Sequence, residues 1–282
     1  MNDRTLDQII KDALAEDIGS GDITTLATID PLILAHGEFL VKQEGVIAGL
    51  DVLKRTLETF DPELELSLFA KDGEKIISKT VIALVTGKAA SILTVERTAL
   101  NFLQRMSGIA TMCRNLQDKI AHTKAKVIDT RKTVPGLRMI DKLAVRLSGC
   151  SNHRYGLHDM FLIKDNHIEA AGSITKAVTR CKHFKKVQNL DCKIEVETTN
   201  LHQVQEAIGC EADIIMLDNF EVSKMKSAVQ LINGKCLVEA SGNVNIDTIK
   251  PIAETGVDFI SVGAITHSVK ALDISLELKL NK

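Results

Sequence analysis

From residue 120 onward, short apolar runs recur at KVID, MFLIK, KIEVE, DIIMLD, CLVEAS and VDFISVG, the later ones about 20–25 residues apart. Between them lie amphipathic stretches such as LHQVQEAIG and EVSKMKSAVQLI. Short buried strands that alternate with helices form parallel βαβ units. Six such units, every strand apolar, predict an α/β barrel, closed or incomplete, rather than an open sheet.

The chain divides near residue 112. Before that point the order is mixed: a helix around residues 4–15, a loop at EDIGSGDITT, and strands near 35–41, 64–69 and 80–87. AHGEFLVKQEGVIAG and KTVIALVTGKAAS alternate as half-buried antiparallel strands do. A long helix follows from about residue 94. Its residues Ala99, Phe102, Leu103, Met106 and Ala110 form one stripe, from which Arg97 lies roughly 200° around the wheel. The last run, DISLELKL, alternates cleanly and reads as a strand that leaves the barrel for the first domain's sheet. The expected division is 1–112, 113–270 for the barrel, and 271–282 for the returning segment.

With 45% hydrophobic and 26% charged residues, the chain is expected to be an ordinary globular protein of one or two domains. A formal net charge of −2 argues against a general nucleic-acid binder, so any anion binding is local. The six cysteines show no C-x-x-C spacing and read as reduced core thiols, which points to the cytoplasm. Neither a cleavable leader nor a run long enough to span a membrane is expected.

The polar residues fall where barrel strands end. In order, these ends carry Asp129-Thr-Arg131-Lys132, Lys164-Asp-Asn-His167, Glu195-Val-Glu197, Asp218-Asn219, Ser241-Gly242-Asn243 and Gly263. Loops at that end of α/β barrels converge on the active site. One charged strand end is commonly a solvated cap, but a series with complementary signs favours a site. Gathering Arg131, Lys132, Arg154 and Lys164, with His153 alongside, costs on the order of 4 kcal/mol per close pair unless an anion neutralises them. The implied ligand is a phosphate ester or a polycarboxylate. Glu197 and Asp218 suit hydroxyls or a divalent cation, and Ser241–Asn243 and Gly263 suit phosphate cradled by backbone amides. A P-loop, a dinucleotide fingerprint and a G-x-S-x-G elbow are all absent from the sequence. Asn166 and His167 also read as helix caps, and Asp22 and Thr24 as turn residues.

Nine segments resemble the quinolinate phosphoribosyltransferase family in order and spacing. They are Glu16–Thr25, Glu96–Thr111, Asp129–Arg138, Asn152–Leu157, Lys164–His167, Glu195–Glu197, Leu217–Asn219, Glu239–Asn243 and Ser261–Ala264. The resemblance implies an N-terminal α/β sandwich domain and an open α/β barrel of parallel strands. It also implies transfer of phosphoribosyl from 5-phosphoribosyl-1-pyrophosphate to quinolinate with Mg²⁺, giving nicotinate mononucleotide, pyrophosphate and CO₂ for NAD biosynthesis. It implies homodimers with shared active sites, a state compatible with hexamers built from dimers. Carried over, Arg97 (from the partner), Arg131, Lys132, His153, Arg154 and Lys164 line the site for quinolinate and phosphates. Glu197 and Asp218 meet the ribose hydroxyls and Mg²⁺, and Ser241, Gly242, Asn243 and Gly263 meet phosphate; Lys132, Glu197 and Asp218 are the catalytic candidates.

Asn243 departs from the pattern, since relatives often have glycine there, and its role stays open, as does that of Arg138. Three alternatives stand beside the main reading. They are a nicotinate phosphoribosyltransferase, whose substrate has one carboxylate, a paralogue of the same fold found beside molybdenum transport genes, and a non-catalytic phosphosugar-binding protein.

Overall fold

A computed structural model describes residues 3–280. In chain order the elements of its first part are α1 (Asp3–Ile18), α2 (Ile23–Thr28), β1 (Leu34–Val41), β2 (Gly45–Val46), α3 (Leu50–Phe60), β3 (Glu65–Leu68), β4 (Lys75–Ile76), β5 (Thr80–Lys88) and α4 (Ala89–Lys119). There follow β6 (Lys126–Ile128), α5 (Arg138–Leu147), β7 (Phe161–Ile163), α6 (Asp165–Ala171), α7 (Ile174–Val187), β8 (Ile194–Thr198) and α8 (Leu201–Gly209). The chain then forms β9 (Ile214–Asp218), α9 (Val222–Ile232), β10 (Leu237–Ser241), α10 (Ile249–Ala253), β11 (Phe259–Ser261), α11 (Ala264–His267) and β12 (Ile274–Leu280).

Two compact units divide these elements. The first takes the chain up to Arg114, Thr133–Gly149, and the chain from Thr266 onward. Its antiparallel sheet runs β12-β1-β5-β3, with Phe39 of β1 opposite Leu276 of β12 and Ala83 of β5. Ala35, Phe39 and Val41 of β1 and Ala83 and Val85 of β5 are buried, as the alternation in the sequence requires.

Three of this unit's helices carry no sequence expectation, and each has a physical reason. The loop expected at EDIGSGDITT contains α2. Its N-cap, Asp22, accepts the amides of Thr24 at 3.1 Å and Thr25 at 3.0 Å, and also the Thr25 hydroxyl. Asp22 and Thr24 are thus the start of a helix, and these bonds hold the Asp22 carboxyl below its ordinary range. Helix α3 begins after Gly49, which sits at φ 101° and supplies no side-chain cap. Asp72 does so from a distance, accepting the amides of Gly49 at 2.7 Å and Leu50 at 3.1 Å. Helix α5 buries Asp141 completely, and Arg105 of α4 grips that carboxylate with two bonds of 2.8 Å. The same guanidinium donates to the Thr266 carbonyl at 3.3 Å, so one side chain ties together all three chain segments of the unit.

The second unit comprises Asn115–Lys132 and Cys150–Ile265. Its six parallel strands run β6-β11-β10-β9-β8-β7. Every residue of β9 before Asp218 is buried, as are Val196, Val238, Ala240 and Ile260. These are the continuous apolar runs of strands covered on both faces. β6 and β7 follow one another in sequence yet form opposite edges, so the barrel is open. The residues joining them include α5, which belongs to the first unit. A single parallel bridge, Ile128 to Ser151, extends the β6 edge. No helix among the described residues is long and apolar enough to cross a membrane, and all six cysteines are thiols.

Candidate active site

Within the second unit, the chemistry-bearing residues singled out above, other than His153 and Arg154, lie at or near the C-terminal end of a strand. Asp129, Arg131 and Lys132 follow β6, and Lys164 follows β7 directly. Glu197 is the penultimate residue of β8, Asp218 and Ser241 end β9 and β10, and Gly263 lies two residues past β11. Arg97 is carried by the first unit, exposed on α4 between the buried Val95 and Thr98.

His153 and Arg154 belong to no regular element, so something else must place them. Ser151 donates to the Val127 carbonyl at 3.2 Å, bringing the segment alongside β6. The fully buried Asp129 then accepts the Asn152 amide side chain at 2.6 Å and the His153 N–H at 2.8 Å. Asp129 therefore holds the histidine–arginine pair beside the Thr130–Lys132 loop, in which Lys132 donates its own N–H to Thr130 at 3.0 Å.

Arg154 donates through Nη1 to the Met160 carbonyl at 3.2 Å, while its buried Nε meets no acceptor. Burial, followed by the charge on Arg131, pushes the Arg154 guanidinium below its ordinary value; Glu195 and Asp159 oppose the shift. Two half-buried guanidiniums within each other's field suit the binding of an anion.

Across the strand ends, Lys164 Nζ lies 2.6 Å from Glu197 Oε2, a partly exposed pair. Its backbone N–H caps α6 through His167 Nδ1 at 3.0 Å, so His167 has a structural role. Asp218 Oδ2 accepts the Asn219 side-chain amide at 2.8 Å. Asn219 (φ 54°) and Asn243 (φ 50°) both adopt the left-handed conformation that asparagine tolerates. Asn219 donates its N–H to the Ser241 carbonyl at 2.9 Å, and Asn243 reaches back to Asn219 Oδ1 at 3.3 Å. Between them Gly242, at φ 103°, has no room for a side chain, because a Cβ there would fall 2.2 Å from Asn219 Oδ1. The asparagine at 243 thus braces two strand-end loops against each other and leaves the Ser241–Gly242 backbone in place. Arg138, in the first unit, donates to Thr133 Oγ1 at 3.0 Å and braces the start of α5.

Sequence reasoning passed over the deepest polar group. Glu195 and Glu239 are both buried in the barrel, with their carboxyl groups in each other's field. Burial first, then the charge of Glu195, holds Glu239 well above the ordinary carboxyl range. His153 Nε2 stands 3.0 Å from Glu195 Oε2 and 3.5 Å from Glu239 Oε2. The period of two was the missed signal, because it places Glu195 on the face of Glu197 and Glu239 on the face of Ser241.

These three side chains offer atoms all within 4.8 Å of one another, a set that would suit a transition-metal ion. The other ring nitrogen argues against that role. Nδ1 accepts the Arg154 N–H at 2.7 Å, so it carries no hydrogen, and a neutral ring must then carry its hydrogen on Nε2. A metal needs that same nitrogen as a lone pair.

Comparison with known proteins shows the family. Residues 22–107 match the N-terminal domain of quinolinate phosphoribosyl transferase, and residues 109–277 match its C-terminal domain. The chain is 45% identical to the chloroplastic nicotinate-nucleotide pyrophosphorylase [carboxylating] of Arabidopsis thaliana, over 97% of this chain and 82% of that one. It is 45% identical to a probable nicotinate-nucleotide pyrophosphorylase [carboxylating] of Synechocystis, over 98% and 93%. The crystal structure of NadC from Streptococcus pyogenes superposes with a TM-score of 0.94 at 38% identity, covering 100% of this chain and 99% of that one.

Proposed function

The chain belongs to the quinolinate phosphoribosyltransferase family, and from that premise we propose how its residues divide the reaction. The enzyme transfers phosphoribosyl from 5-phosphoribosyl-1-pyrophosphate to quinolinate with loss of CO₂, giving nicotinate mononucleotide and pyrophosphate in NAD biosynthesis. The observation that carries the assignment of roles is the Arg131–Arg154 pair. Its two guanidiniums, that of Arg154 lowered first by burial and then by the Arg131 charge, suit the two adjacent carboxylates of quinolinate.

Lys132 stands beside this pair as the exposed cation nearest in sequence, and it neutralises phosphate or pyrophosphate. Lys164 balances Glu197 before substrate arrives and is released to bind anion when Glu197 engages the ribose hydroxyls. Glu197 and Asp218 then face the sugar carbon as pyrophosphate departs and positive charge develops there. The backbone of Ser241, Gly242 and Asn243, with that of Gly263, receives the 5′-phosphate. No covalent nucleophile is required, and decarboxylation draws on the cationic ring nitrogen of the substrate itself.

Glu197 and Asp218 are hard oxygen donors of partial exposure, suited to Mg²⁺ that arrives with the pyrophosphate. Bound there, the ion would supply countercharge to the leaving group. Arg97, exposed on α4, acts in the site of a second subunit, which makes the working unit a homodimer or a hexamer of such dimers. The six thiols support a cytoplasmic location.

The test uses quinolinate labelled in the carboxyl group next to the ring nitrogen, supplied with phosphoribosyl pyrophosphate and Mg²⁺. Release of labelled CO₂ together with nicotinate mononucleotide is expected. A preparation that consumes nicotinate but releases no CO₂ from quinolinate would replace this reading with the nicotinate-specific alternative.

A further inference from the structure

The buried group beneath the mouth has no assigned part in substrate binding, and its geometry gives it one. It consists of Glu195 on β8, Glu239 on β10 and His153 beside β6, all with side chains at least nine-tenths buried. Neither oxygen of Glu195 meets an aligned hydrogen-bond donor. The close polar approaches are those of His153 Nε2, 3.0 Å from Glu195 Oε2 and 3.5 Å from Glu239 Oε2. Glu195 thus stands between an imidazole edge and a carboxyl group whose charged form burial disfavours.

What this centre controls follows from the chain. The imidazole is held at Nδ1 by the Arg154 N–H, and its Nε2 lies 3.0 Å from Glu195 Oε2. The pinned ring fixes the peptide that leads into Arg154, one of the two guanidiniums for quinolinate. Asp129 holds the preceding peptide, through the His153 N–H.

We propose that Glu195 and Glu239 are positioning residues, an acceptor and a neutral acid, which lock His153 as its Nε2–H tautomer and thereby aim Arg154 at the substrate's carboxylates. The two acids are unequal in this arrangement. Glu239 serves as a neutral hydrogen-bond donor, a role glutamine can fill. Glu195 serves as an acceptor only, a role glutamine fills poorly because it brings hydrogens of its own. His153 is then a brace rather than a sixth cation for substrate.

The proposal rests on the quinolinate-binding role of Arg154, so its test has one arm that does not depend on activity. In that arm, nitrogen-15 NMR of the histidines, with His153 assigned through His153→Gln, shows a hydrogen on Nε2 and none on Nδ1. The second arm compares Glu195→Gln with Glu239→Gln. Loss of one charge-assisted hydrogen bond corresponds to about 10–100-fold. Glu195→Gln is therefore expected to raise the KM for quinolinate by at least about tenfold while moving the KM for phosphoribosyl pyrophosphate by less than about threefold. Glu239→Gln keeps both within about threefold.

A hydrogen on Nδ1, equal effects of the two variants, or a rise confined to phosphoribosyl pyrophosphate would overturn the proposal. So would a stoichiometric metal ion retained by the purified wild type and lost from Glu195→Gln. If Glu195→Gln does not fold, the NMR result and the Glu239→Gln kinetics still decide. If quinolinate is not the substrate at all, the wild-type assay fails while the tautomer stands, which separates the two failures.

Discussion

At the N-terminal ends of the parallel strands, Asp213 accepts the Ile194 N–H at 2.7 Å and Asp258 accepts the Val238 N–H at 2.8 Å. Asp258 also takes the Lys124 ammonium at 2.6 Å. Each of these acids sits just before one strand and satisfies the start of its neighbour. At the other ends of the same strands, acids face cations or one another, guanidiniums crowd, and the Arg154 Nε has no acceptor. Both ends are polar and both are built from single residues flanking apolar runs. The difference is that one end is internally complete and the other is arranged for something that has yet to arrive, the division of labour expected of α/β barrels.

The most forceful way to break this contrast is at the mouth. Lys132→Ala or Glu197→Ala should cut turnover by at least about tenfold, with the melting temperature within about 2 °C of wild type. Steady-state kinetics and calorimetry on one preparation would show it; normal turnover would remove both residues from the mechanism. Gly242→Ala comes next. The added Cβ meets Asn219 and a φ of 103° disfavours any side chain, so the KM for phosphoribosyl pyrophosphate should rise by about three- to thirtyfold, with little change for quinolinate.

The opposite end should behave in the opposite way. Asp258→Ala leaves the Val238 N–H without its acceptor, which costs about 1–3 kcal/mol and should lower the melting temperature by several degrees. Both KM values should stay at their wild-type level well below that temperature. The smallest effect is expected for Asn243→Gly, which removes one exposed hydrogen bond and restores a residue at ease in the left-handed region. A change within about 0.5 kcal/mol of stability and about twofold in either KM is expected.

The same contrast explains what could be read from the sequence. The parallel strands were legible because a strand buried on both faces is apolar throughout, and the residues at its end stand out against it. Arg131, Lys164, Glu197 and Asp218 were found in that way. Helix α3 was not, because its cap is Asp72, 22 residues beyond the position it caps, and no local pattern announces such a partner. Helix α5 was missed for a similar reason: its anchor is the Arg105–Asp141 pair, 36 residues apart. At the site, Glu195 and Glu239 were set aside in favour of Glu197 and Ser241 at the rim. The alternation of each strand nonetheless puts inner and outer residues on one face. His153 was counted as a cation, whereas the hydrogen on the Arg154 amide, invisible in a string of letters, is what fixes its neutral form.

The account's central claim is that the strands' C-terminal ends, and not their N-terminal ends, receive both substrates. Amide hydrogen exchange tests it directly, using phosphoribosyl pyrophosphate with benzene-1,2-dicarboxylate. That compound has two adjacent carboxylates and no ring nitrogen to react. The account predicts slowed exchange at residues 130–132, 152–154 and 241–243, and unchanged exchange at 191–194 and 235–238. Protection confined to the latter pair of segments, with none at the former, would contradict it.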